Sequence, residues 1–180
     1  MKKLISILLC AAMLASLLAG CGAKPEETQP TTPKYEGTME ELANKIAAEV
    51  PEGIQSTAMT LDLTDTSEEG LWSIKNATGL DSTEDITDAA VYESMIGSIA
   101  FSMVTVRVAE GADSKAVAEA MKAGIDPRKW ICVSADDVMV AGYGDVVMFI
   151  MVDTGLDLTA QSYVDAFASV VGGEPTFTLK

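Results

Sequence analysis

The chain has no histidine among its 180 residues. It therefore lacks the commonest general base and the commonest transition-metal ligand. Cysteine is scarce, with only Cys10, Cys21 and Cys132. Basic residues are few: 12 Lys+Arg face 27 Asp+Glu, for a formal charge of −15. A surface that acidic repels nucleic acid and anionic lipid headgroups, so no nucleic-acid partner is expected. No phosphate loop, metal motif or internal repeat can be read, and no cofactor is implied. The longest apolar run, Leu4 to Leu18, falls short of the roughly 20 residues that span a bilayer.

What is present starts with an address. Lys2 and Lys3 precede that apolar run, and the pattern reads as an export signal that takes no part in the fold. The run ends in Leu17-Leu18-Ala19-Gly20-Cys21-Gly22. This order resembles the lipobox of bacterial lipoproteins, in which a diacylglyceryl group is attached to the cysteine and cleavage occurs just before it. The resemblance implies removal of residues 1–20, lipidation at Cys21, and residence on the extracytoplasmic face of the cell membrane. Two acyl chains make a durable anchor, at about 0.8 kcal/mol per buried CH₂. Without Lys2 and Lys3 the chain keeps 10 bases against 27 acids, a charge of −17. Cys132 is then the one free thiol, and no intramolecular disulfide can form. Its neighbours Trp130, Ile131 and Val133 predict a buried, inert cysteine.

Residues 21–37 read as a lipidated cysteine followed by a polar, proline-containing, disordered tether. Residues 38–180 read as a single globular domain. Thr38 and Glu41 predict a capping box, and Met39, Leu42, Ala43, Ile46, Ala47 and Val50 share a helical face that Pro51 closes. TAMTLDL alternates as a half-buried strand. Thr66 and Glu69 predict a second capping box, ahead of a short helix ending near Gly79. DSTEDITD reads as an acidic loop, and AVYESMIG is ambiguous between helix and strand. Ile99 to Val108 fits a central strand, and Asp113 or Ser114 caps a helix whose face is Val117, Ala120 and Met121. Trp130 to Val133 reads as a short edge strand or a packed loop. Val138–Tyr143 and Val146–Val152 flank Gly144-Asp145, a tight hairpin. Thr159 to Val171 is the last helix, ended by Gly172-Gly173. The fold class is α+β, a mainly antiparallel sheet of about four to five strands with packed helices. Its central β-α-β-β-α stretch suggests half of a ferredoxin-like unit.

From Thr38 to Gly172 the order ELANKIAAEV, VYESMIGS, SIAFSMVTVRVAEG, SKAVAEAMKAG and VVMFIMVD resembles a family of small Gram-positive bacterial lipoproteins described as a domain of unknown function. The pattern departs at IDPRKWICVSAD, which is shorter than the helical stretch expected there. The resemblance implies an extracytoplasmic lipoprotein and brings no activity or functional residues.

Candidate chemistry is thin. DTSEEGLWSIKN places Asp65, Ser67, Glu69 and Gly70 at positions 1, 3, 5 and 6 of a calcium loop, but Asn76 stands where a bidentate glutamate belongs. A helix start explains the same residues. Asp81, Glu84, Asp85 and Asp88 read as a solvated acidic loop, and Asp136-Asp137 as a turn. Asn76-Ala77-Thr78 matches a glycosylation acceptor with little meaning in a bacterial protein. Methionines from Met59 to Met151 read as core packing rather than a cuprous site. Arg107 is expected to pair with an acid at the sheet edge. With no nucleophile–base pair, no catalytic residue and no metal ligand is assigned. The expected function is a non-enzymatic binding or scaffolding module of the cell envelope. Its expected contacts are the membrane through Cys21 and a basic envelope protein or cationic wall component. The alternative is a lipoprotein that binds a small ligand or cation, such as a transport accessory.

Overall fold

The computed structural model describes residues 33–180. The expected export segment, the expected lipobox with Cys21 and most of the expected tether lie outside the described residues. The chain runs α1 (Met39–Ala48), β1 (Met59–Thr60), α2 (Glu68–Thr78), β2 (Ile86–Glu93), β3 (Phe101–Val108) and α3 (Ser114–Gly124). It continues through β4 (Asp137–Tyr143), β5 (Val146–Val152), a 3-10 turn (Thr154–Leu156), α4 (Ala160–Val171) and β6 (Phe177–Leu179). The class is α+β: one six-stranded sheet, ordered β1-β2-β3-β5-β4-β6, antiparallel at every pairing. That is slightly more strands than the sequence suggests.

Both faces of the sheet are covered, because its central strands are apolar on both sides. In β5 all seven residues are buried. Met148, Ile150 and Val152 join Phe101 and Met103 under Leu42 and Ile46 of α1 and Tyr163 and Phe167 of α4. Val147, Phe149 and Met151 face the other way, with Val104 and Val106, toward Ala77 of α2 and Val117 and Met121 of α3. This is the alternation a pleated strand imposes when helices pack on each side. At roughly 1.5–3 kcal/mol for each large apolar side chain fully buried, these two layers dominate the stability.

The helix starts follow local chemistry. Thr38 and Glu41 form the capping box of α1. Asp113 caps α3, accepting from the N–H groups of Lys115 and Ala116. Thr159 caps α4 and accepts from Ser162 N–H at 3.3 Å. In α2 the cap is Ser67, not Thr66: the Ser67 hydroxyl accepts from Gly70 N–H at 3.1 Å. The hairpin of β4 and β5 pairs Tyr143 with Val146 and Asp137 with Val152, turning at Gly144-Asp145.

Several expectations are corrected. The supposed acidic loop contributes Ile86–Asp88 to β2, with an irregularity in register between Ile86 and Asp88. Pairing with β3 decides this, and it also makes Ala90–Glu93 of the ambiguous stretch a strand, while residues 94–97 belong to the β2–β3 connection. TAMTLDL contributes only Met59–Thr60 to the sheet; Met59 is exposed, while Leu61 and Leu63 are half-buried. On α3, Ala118 is buried and Ala120 is exposed. The unit β3-α3-β4-β5 does have the split order β3-β5-β4 of half a ferredoxin-like unit. The likeness ends there, since α3 and α4 lie on opposite faces and β6 joins the edge beside β4.

Cys132 is exposed, not buried. Its stretch is neither strand nor helix, and Cys132 itself takes a left-handed backbone with φ 69°. Ile131 beside it is 83% exposed, so the apolar neighbours give no cover. Met39, Met103, Met121, Met139, Met148 and Met151 pack in the core, whereas Met59 and Met95 are exposed.

Candidate functional site

The residues with side-chain chemistry gather in three places. One is the end of the sheet where the chain arrives. Arg107, near the end of β3, pairs with Asp145 in the hairpin turn at 2.5 Å, with both side chains largely buried. Its guanidinium also donates to the carbonyls of Tyr35, at 3.2 Å, and Gly37. Tyr35 N–H donates to Asp145 Oδ1 at 3.0 Å, and Asp145 N–H to the Pro33 carbonyl. Residues 33–37, which the sequence reading assigned to the tether, are thus held against the domain. Lys45 Nζ donates to the Tyr35 hydroxyl at 3.2 Å, and that bond raises the lysine's pKa. The expected pairing of Arg107 with an acid is found here.

The second place is the opposite end of the sheet. Lys129 Nζ, with a side chain only 4% exposed, donates to Glu93, to Ser102 Oγ at 3.2 Å and to the Asn76 carbonyl at 3.3 Å. Ser102 Oγ donates to Glu93 Oε1 at 2.6 Å. A buried ammonium is tolerable only when its donors are met in this way. Ser102 is fully buried and its proton points at Glu93, so the arrangement braces the loops rather than presenting a nucleophile. Around it the β2–β3 and α3–β4 connections carry the exposed Met95, Ile96 and Ile131. No local signal in the sequence marks this cluster, because its members are far apart in the chain.

The third is the outer face of α2. Leu71 and Trp72 are exposed, Trp72 by 66%, while Ile74 and Ala77 on the same helix turn inward. With Lys75 and Leu80–Thr83 they line a surface groove of about 370 Å³. Lys75 reaches Asp81 across its rim at 2.6 Å.

Several carboxylates of the chain, Asp65, Asp88, Asp136 and Asp137 among those singled out in the sequence, bond to backbone amides. Asp65 accepts from Ser67 N–H at 2.9 Å ahead of α2. Asp62 accepts from the hydroxyl and N–H of Thr64, and those bonds hold its carboxyl below the ordinary range. Asp88 caps α1 through Met39 N–H at 2.9 Å. Asp136 takes the N–H and hydroxyl of Thr154, and Asp137 takes Ala160 N–H. Among the described residues, no three histidine, cysteine or carboxylate side chains gather as a metal would require. No described helix is long and apolar enough to cross a membrane. The chain matches no protein-family model, no curated protein and no solved structure.

Proposed function

We propose that this chain is a membrane-anchored extracytoplasmic lipoprotein, joined to the membrane through Cys21, whose folded domain is a non-enzymatic binding or scaffolding module. The observation that carries the reading is the seat of residues 33–37. Residues 33–37 are fastened by Arg107 and Asp145 at one end of the sheet. Met95, Ile96 and Ile131, at the other end of the sheet, are exposed and available to meet neighbours in the envelope. The resemblance to small Gram-positive lipoproteins supports the same location. The processed chain's charge of −17, 10 bases against 27 acids, favours a basic partner, since complementary charge speeds encounter and sets specificity. A tether adds to this by raising the local concentration of the domain near proteins in the same membrane.

The test is fractionation of cells that express Cys21→Ala. Release of the protein from membranes, or failure of its processing, is the expected result. A variant that matures and sediments with membranes like the parent would sink the proposal.

A further inference from the structure

We infer that the outer face of α2 is the partner site of this module, and that it takes an extended polypeptide segment bearing lysine or arginine. The inference rests on the binding-module reading above. Its first support is the waste of apolar surface. Leu71 and Trp72 belong to neither core layer, yet they stand side by side on a helix whose inward positions are already filled by Ile74 and Ala77. An exposed tryptophan next to an apolar groove is the kind of feature that anchors an interface.

The second support is charge. Between Asp62 and Asp88 the sequence holds eight carboxylates and a single base, Lys75. Glu68 lies one helical turn from both Leu71 and Trp72, and Glu69 one turn from Trp72. Among the described residues neither glutamate forms an ion pair. Lys75 is held by Asp81 in a pair whose side chains are both exposed, so water screens it and an incoming cation can replace it at little cost. A tryptophan with Glu68 and Glu69 one helical turn away, and Asp81 in the lining of the same groove, suits an ammonium or guanidinium, which gains both cation–π attraction and a counter-charge. The groove's volume of about 370 Å³ admits a few residues and not a folded surface. This is why a segment, rather than a broad interface, is the fitting occupant.

The experiment uses the full chain in neutral detergent with Trp130→Phe, which leaves Trp72 as the only tryptophan. The probe is a fluorescently labelled oligolysine peptide, titrated at low and high salt. Binding to this parent should move Trp72 emission and weaken as salt rises. Two variants separate groove from diffuse charge. Trp72→Ala, which changes no charge and is read by the anisotropy of the peptide label, should weaken binding about tenfold. Glu68→Gln/Glu69→Gln should flatten the salt dependence. If oligolysine binds the parent and Trp72→Ala equally well, the site assignment is overturned while a basic partner stands. If the parent does not bind oligolysine even at low salt, the basic partner itself is refuted. Tighter binding of a cationic glucosamine polymer than of oligolysine would overturn the polypeptide assignment.

Discussion

Arg107 Nη1 stands 2.5 Å from Asp145 Oδ2, and the same guanidinium reaches the backbone of Tyr35 and Gly37. One side chain thereby ties the hairpin turn to the segment that brings the chain into the domain. Arg107→Met should cost about 1–3 kcal/mol, because Asp145 keeps its burial and loses its charged donor. It should also free residues 33–37. Amide exchange at Tyr35, whose N–H is held by Asp145, is the sensitive readout. Unchanged exchange there would show that the clamp does not hold the segment.

The brace at the other end makes a sharper demand. Lys129→Met leaves Glu93 and Ser102 without their shared donor, and urea unfolding should register a loss of about 3–5 kcal/mol. Replacing Glu93 by leucine in that variant should recover part of the loss, since an apolar pair avoids the stranded charge. A double variant as unstable as the sum of the two singles would mean that the residues do not act together.

Cys132 tests the correction to the sequence reading. With Cys10 and Cys21 replaced by serine, the folded protein should label with a water-soluble maleimide almost as fast as the denatured protein. The exposed left-handed loop position leaves the thiol open. Labelling only after denaturation would restore the buried assignment.

Asp136 predicts a pH effect. The amide of Thr154, at 2.8 Å, and its hydroxyl, at 2.7 Å, favour the carboxylate and hold its pKa below the ordinary aspartate value. A lowered folded-state pKa contributes stability that is present above the unfolded pKa. That stability is lost as the pH falls through the folded one. Thr154→Val removes the hydroxyl and keeps the amide. Titration by NMR should place Asp136 closer to the ordinary value in the variant, and an identical titration would contradict the assignment.

These residues also show what could be read from the sequence. Thr38 with Glu41, a cap at Asp113 or Ser114, and the Gly144-Asp145 turn were legible because caps and tight turns are set by neighbours in the chain. Ile86–Asp88 was not, because two polar residues after one isoleucine carry no strand signal until β3 pairs with them. Three-residue β6 is likewise made a strand by β4. Cys132 misled because apolar neighbours imply burial only inside an element, and its segment is a loop. Lys129, Glu93 and Ser102 meet through tertiary folding alone. Trp72 falls within DTSEEGLWSIKN, which carries no signal for its exposure; that needed the packing of Ile74 and Ala77 to become apparent.

The account rests most directly on the mature N-terminus. Intact mass and N-terminal peptide analysis of the protein extracted from membranes should find the chain starting at Cys21 with a diacylglyceryl group on its sulfur. An unmodified Cys21, or a chain cut at another position, would contradict the anchored module proposed for this protein.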